Sequence, residues 1–184
     1  SSILVTWENS YWDGDSPITG YQVEYSTNYS TWTKFPSNGL LNSPVTITGL
    51  TNGTSYFVRV TSVNNVGAGT PVKTSQYTPI IPKTIPGAPV ISASSSTPGT
   101  ATITVTAPAS NGGSAITGYT ITSAPGGFTC TVDPAANPLA CDISTLVNGT
   151  SYTFTAVATN IVGNSSASSA STALIPQGPA SAPT

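Results

Sequence analysis

Apolar and polar residues alternate along much of this chain. Ile3, Val5 and Trp7 share one face, set against Leu4 and Thr6, and Ile103, Val105 and Ala107 do the same against Thr104 and Thr106. Tyr21, Val23 and Tyr25 form another such face, as do Tyr119 and Ile121, then Tyr56, Val58 and Val60, then Tyr152, Phe154 and Ala156. A period of two puts successive side chains on opposite faces of a strand, and these runs are rich in β-branched residues and bounded by Gly, Pro, Asn and Asp. No stretch sustains a helical period. The pattern predicts short antiparallel strands, each buried on one side, in sufficient number for a sandwich.

The same pattern occurs twice. Ser16-Pro17-Ile18-Thr19-Gly20-Tyr21 returns as Ser114-Ala115-Ile116-Thr117-Gly118-Tyr119. Leu50-Thr51-Asn52-Gly53-Thr54-Ser55-Tyr56 returns as Leu146-Val147-Asn148-Gly149-Thr150-Ser151-Tyr152, and Asn64 with Gly67 returns as Asn160 with Gly163. The unit is about 95 residues long, the length of one small β-sandwich.

These residues, in this order, resemble the fibronectin type III family. A strand ends at Trp7, where the family carries a core tryptophan and the second copy has Ala107; the next strand opens at Gly20-Tyr21 and Gly118-Tyr119. Leu-x-x-Gly-Thr-x-Tyr spans Leu50 to Tyr56 and Leu146 to Tyr152, and Asn-x-x-Gly follows at Asn64 and Asn160. The second copy looks like the bacterial form common in secreted and surface proteins. The resemblance implies an all-β chain of two tandem immunoglobulin-like β-sandwiches. It also implies a tyrosine corner in each, formed by Leu50 with Tyr56 and by Leu146 with Tyr152. The expected division is a first domain at 1–79, a Pro-rich linker at 80–85, a second domain at 86–175, and at 176–184 a linker with the start of a further repeat. The first copy opens without the family's first strand, strand A, which the second copy carries after Pro86; Ser181-Ala182-Pro183-Thr184 aligns with Gly87-Ala88-Pro89-Val90. Either the chain is a window on a longer tandem array, or successive subunits complete one another by donating a strand.

Composition narrows the function. Only 5% of residues are charged, with 4 basic and 6 acidic side chains and a net charge of −2, so there is no electrostatic footprint for nucleic acid. Ser and Thr supply the polar surface. Histidine is absent, which removes the commonest general base and metal ligand. No apolar run approaches the roughly 18 residues of a membrane span, so no membrane insertion is expected. No catalytic residue, cofactor or metal is expected. With no methionine, Ser1 is not a translation start, and processing or excision is expected upstream.

Cys130 and Cys141 enclose a loop containing Asp133-Pro134 and Asn137-Pro138, and strands should lie just before and after it. In a chain without histidine a structural disulfide is favoured over a reactive pair, and with it an oxidising, extracellular setting. The first copy has no counterpart, so its stability should draw on Trp7, Trp12 and Trp32. In the family the B–C and F–G loops share one pole, which would bring Tyr11 and Trp12 towards Asn64 and Asn65. Aromatics beside amides suit a surface glycan or a protein partner, although in an array the same pole would meet a neighbouring repeat. Asp13 and Asp15 are read as a polar turn, because calcium needs about six or more ligands. The sequons at Asn28, Asn52, Asn148 and Asn164 are read as chance, and Ser165 to Thr172 as a stretch able to carry O-glycans.

The expected function is a non-catalytic spacer or adhesive module of an extracellular surface protein or fibre, meeting neighbouring repeats or subunits head to tail. The Pro-rich linkers would act as short, semi-rigid spacers. The alternatives are an accessory module of a secreted polysaccharide-degrading enzyme and a structural domain of a phage particle.

Overall fold

The computed structural model describes residues 1–36, 41–95 and 97–178. Residues 179–184, where the start of a further repeat was expected, lie outside them. Among the described residues thirteen strands are found, and the chain divides into two compact units, Ser1–Lys83 and Thr84–Thr184.

The first unit holds β1 (Ser2–Val5), β2 (Ile18–Ser26), β3 (Thr33–Lys34), β4 (Val45–Thr48), β5 (Phe57–Asn64) and β6 (Val72–Lys73). A four-stranded sheet runs β3-β2-β5-β6, and β1 pairs with β4. The second unit holds β7 (Val90–Ser94), β8 (Ala101–Thr106), β9 (Ile116–Ala124), β10 (Thr129–Val132), β11 (Ala140–Ile143), β12 (Thr153–Asn160) and β13 (Gly163–Asn164). Its sheets run β10-β9-β12-β13 and β11-β8-β7. The two orders agree strand for strand, except that β7 has no counterpart in the first unit among the described residues.

The alternation closes each core. Ile3, Val5, Val23, Ile47, Leu50, Tyr56 and Val58 are buried together in the first unit. Ile103, Ile121, Phe154, Ala156 and Ala158 are fully buried in the second. Leu4, between Ile3 and Val5, faces out and is 65% exposed. The strand at Trp7 ends earlier than the pattern suggests, at Val5. Trp7 still packs on the core, with its ring 5.3 Å from Tyr21 and its backbone N–H donated to the Ser43 hydroxyl. Of the three tryptophans expected to hold this unit, Trp12 does not contribute to the core, being 70% exposed. Trp32 lies on the outer face of the sheet, over Arg59.

The repeated Ile-Thr-Gly-Tyr has a specific cause. Ile18 pairs with Asn64 and Gly20 with Val63, so Thr19 is skipped as a bulge; Ile116, Thr117 and Gly118 repeat this against Asn160 and Thr159. Each skipped threonine donates its hydroxyl to the facing carbonyl, Thr19 to Val63 at 3.0 Å and Thr117 to Thr159 at 3.2 Å. The hydroxyl thus bonds to the carbonyl where the ladder is interrupted, and the bulge turns each strand start towards the loops.

The Tyr56 hydroxyl accepts the Thr51 N–H at 3.0 Å and the Tyr152 hydroxyl the Val147 N–H at 3.1 Å, beside buried Leu50 and Leu146. A disulfide joins Cys130 to Cys141. Both cysteines sit within strands, β10 and β11, so the bond joins an edge strand of one sheet to an edge strand of the other. After β13 the chain leaves the ladder and meets β12 through every third residue. Ser165, Ser168 and Ser171 each bond the carbonyl of Ala158, Ala156 or Phe154 with their N–H and receive the same residue's N–H on their hydroxyl.

Removing the hydroxyl of Tyr152 leaves the Val147 N–H without its partner at a part-buried corner, so Tyr152→Phe should lower stability by about 1 kcal/mol in urea unfolding. Reducing the disulfide should cost roughly 2–3 kcal/mol on loop-closure grounds. Calorimetry with and without reductant should show that loss in the second unit and leave the first unchanged.

Candidate functional site

The loops following β1 and β5 meet at one pole of the first unit. Tyr21 anchors the base: its hydroxyl accepts the Ser10 N–H at 2.9 Å and donates to Asn9 Oδ1 at 3.3 Å. The Ser10 hydroxyl donates to the Trp12 carbonyl, and Asp13 Oδ1 caps the Asp15 N–H, which makes the Asp13–Asp15 segment a side-chain-capped turn. Asn64 joins the two loops. Its Nδ2 donates to the Asp13 carbonyl at 2.7 Å, with a longer contact of 3.4 Å to Ser16, while its Oδ1 accepts the N–H groups of Val66 and Gly67.

This framework fixes the backbone and leaves the aromatics outside. Tyr11 is fully exposed, Trp12 is 70% exposed, and Asn65 is exposed. A groove of about 350 Å³ runs between the loops, lined by Trp12, Gly14, Ile18, Asn64, Val66 and Gly67. Of the four expected residues, Trp12 and Asn64 line it together. Asn64 acts as a brace between loops, and Tyr11 and Asn65 are not among its lining residues.

A second surface was not legible from the sequence. Across the four-stranded sheet, Lys34 pairs with Glu24, Glu24 with Arg59, and Arg59 with Lys73, so three of the four basic residues share one row. Arg59 grips Glu24 with two bonds of 2.7 and 2.9 Å, and its guanidinium lies 4.6 Å from the Trp32 ring. Lys73 approaches Trp32 and Tyr29 at 5.7 and 5.6 Å, and Tyr29 packs edge-on against Phe57. The residues lie far apart in sequence, and only strand register aligns them.

The stretch expected to carry O-glycans divides in two. The hydroxyls of Ser165, Ser168 and Ser171 are bonded to backbone, whereas Ser166, Ser169 and Thr172 face solvent. Among the described residues, no group of three or more His, Cys, Asp or Glu is placed to hold a metal ion. Among the same residues, no helix is long and apolar enough to cross a membrane.

The hydrogen bonds from Arg59 hold the Glu24 carboxyl below its ordinary value of 4.5, against the opposing effect of burial. A depressed carboxylate pKa contributes stability that is present above 4.5 and lost as pH falls through the lowered value. Glu24→Gln should therefore destabilise the first unit near neutrality and match the wild type in strong acid. Paired unfolding curves from neutral pH down to pH values well below 4.5 would show the two converging.

The fibronectin type III domain model matches residues 1–78 and 87–174. Human protein sidekick-1 is 39% identical over 90 residues, which is 48% of this chain and 4% of that protein. Mouse fast-type myosin-binding protein C is 31% identical over 85 residues, 45% of this chain and 8% of that protein. The chain thus spans less than a tenth of the curated relatives named here. Domains A168–A170 of titin superpose with a TM-score of 0.52 at 21% identity, covering 97% of this chain and 59% of theirs, a likeness of fold alone. These curated relatives are animal proteins, so the bacterial type suggested by the second copy finds no support in them. With both repeats matched over nearly their full length, the chain belongs to the fibronectin type III domain family.

Proposed function

We propose that this chain is a non-catalytic spacer and adhesive module of an extracellular protein built from repeated domains. The observation that supports this reading best is the treatment of the connecting segments. In the first unit the Gly53 N–H donates to the Pro82 carbonyl at 2.9 Å, and in the second the Gly149 N–H donates to the Pro176 carbonyl at 2.9 Å. The same Asn-Gly turn, beside the same tyrosine corner, ties down the outgoing chain each time. In the second unit the incoming chain is tied as well, with the Thr84 N–H on the Gly112 carbonyl and the Thr84 carbonyl on Asn160 Nδ2.

Pro82 is thus bonded into one unit and Thr84 into the other, with Lys83 between them. Proline also fixes φ at positions 82 and 86. This arrangement suits a spacer that limits the freedom of its joint, and the disulfide suits an oxidising compartment. The low charge leaves little long-range repulsion between neighbouring chains, so lateral association should respond weakly to salt. The exposed aromatics of the first unit supply the adhesive surface.

Inserting Gly-Ser-Gly-Ser after Lys83 should broaden the distribution of distances between spin labels placed one on each unit. An unchanged width would remove the spacer reading. Beads coated with the chain should capture cells or one another, and Trp12→Ala should abolish capture without lowering the melting temperature, because Trp12 is 70% exposed. Capture that survives the substitution would exclude this pole as the adhesive surface.

A further inference from the structure

The outer face of the four-stranded sheet in the first unit gathers three of the chain's four basic side chains. Lys34 lies on β3 and Lys73 on β6, at opposite edges of that sheet, with Glu24 and Arg59 on the two strands between them. Neighbouring strands stand about 4.8 Å apart, so the row spans about 14 Å. Three basic groups and one carboxylate leave an excess of positive charge on this face, although the whole chain carries −2. The remaining acids, Glu8, Asp13, Asp15, Asp133 and Asp142, are not in the row.

The row is built on an aromatic platform. Asn28 folds the loop after β2 over the sheet, its Oδ1 accepting the N–H groups of Ser30 and Thr31 at 3.0 and 2.9 Å. Between them Tyr29 has left-handed backbone, with φ of 62°, which a bulky residue adopts only where its surroundings hold it. That backbone seats its ring on the sheet, 5.1 Å from Phe57 and 5.7 Å from Trp32, and its hydroxyl donates to the Thr74 carbonyl at 3.0 Å. Arg59 stacks on Trp32 and directs Nε and Nη2 to the Glu24 carboxylate. Its Nη1 is in neither bond. A guanidinium held by a ring and by a carboxylate presents that nitrogen in a fixed place, while exposed Lys34 and Lys73 flank it on long stems.

We infer that this face binds a linear acidic polysaccharide, one anionic group on Arg59 Nη1 and others on Lys34 and Lys73. Cations set out along about 14 Å match anions repeated along a chain, which a lone phosphate or sulfate does not supply. Half-buried Trp32 and Tyr29 offer ring surface to the apolar C–H faces of the sugars. An acidic peptide suits the face less well. The backbone groups of β2 and β5 are paired within the sheet, so an extended peptide laid across it finds no partners for its own N–H and C=O groups. Elsewhere the surface is poor in charge, so the row is where the field draws a polyanion. The inference concerns a sheet face, and rests on neither the spacer reading nor the loop pole at Trp12.

The test is a titration of the full chain with a size-defined heparin oligosaccharide, which carries sulfates and carboxylates, and separately with an oligogalacturonate, which carries carboxylates alone. Saturable amide shifts with either are expected at Glu24, Lys34, Arg59 and Lys73 and none in the second unit, with affinity falling as salt rises. The paired substitutions Lys34→Gln and Lys73→Gln, both at exposed positions, should leave the melting temperature nearly unchanged. They should weaken binding by about tenfold or more, whereas Lys34→Arg with Lys73→Arg should preserve it. Trp12→Ala should bind as tightly as the wild type, which separates this face from capture at the loop pole. No saturable shifts with either saccharide, or equal affinity for the double glutamine variant, would overturn the inference. So would loss of binding in Trp12→Ala, or binding of polyglutamate or a single-stranded oligonucleotide as tight as that of the saccharides. None of these outcomes would alter the distance distribution that tests the spacer.

Discussion

Each sheet in this chain has one apolar face, and the two faces of a unit must cover each other. That single constraint sets the rest. A core only one side chain deep on each side buries few large residues, and in the second unit two of its fully buried positions on β12 are alanines. Thin cores leave the sheet margins without much apolar cover. The margins are held instead by directed bonds, namely the tyrosine hydroxyls at the corners, the serine hydroxyls beside β12, and one disulfide between edge strands. Such bonds contribute modestly each, but leaving a buried backbone group unpaired costs more than the bond itself supplies.

Asparagine serves the loops as tyrosine serves the corners. Asn64 and Asn160 each hold two N–H groups of their own turn with the carbonyl and reach across to the other loop with the amide nitrogen. An amide can do this because it donates and accepts at once. The threonine bulges opposite them turn the strand starts towards the same loops. The poles are therefore stiff in their backbone while their side chains remain free to differ. One pole carries exposed tyrosine and tryptophan, and the other is closed by its own incoming segment.

Electrostatics divides the units as well. The basic residues all lie at or before Lys83, and the second unit carries only Asp133 and Asp142. Three of those basic residues meet on one row with Glu24 and Trp32. In a chain so poor in charge, this row is, among the described residues, the one place where ionic and aromatic contacts reinforce each other, and it faces outward from the sheet.

The sequence by itself determined the fold class and the repeat, because period-two burial and the recurrence of Leu-x-x-Gly-Thr-x-Tyr depend on neighbours a few residues away. It also singled out Tyr11, Trp12, Asn64 and Asn65 as candidates at one pole and Cys130 with Cys141 as a pair. What it left open needs distances between residues remote along the chain. The row from Lys34 to Lys73 exists only in the strand register. The partial burial of Trp7 and the exposure of Trp12 follow from which side of a loop meets the core. Most of all, the burial of Gly112 comes from the remote Thr84-Ile85 segment, whose carbonyl oxygens would lie 2.1 and 2.6 Å from a Cβ there. Local sequence specifies the left-handed turn; only the path of the chain through space decides what lies on top of it.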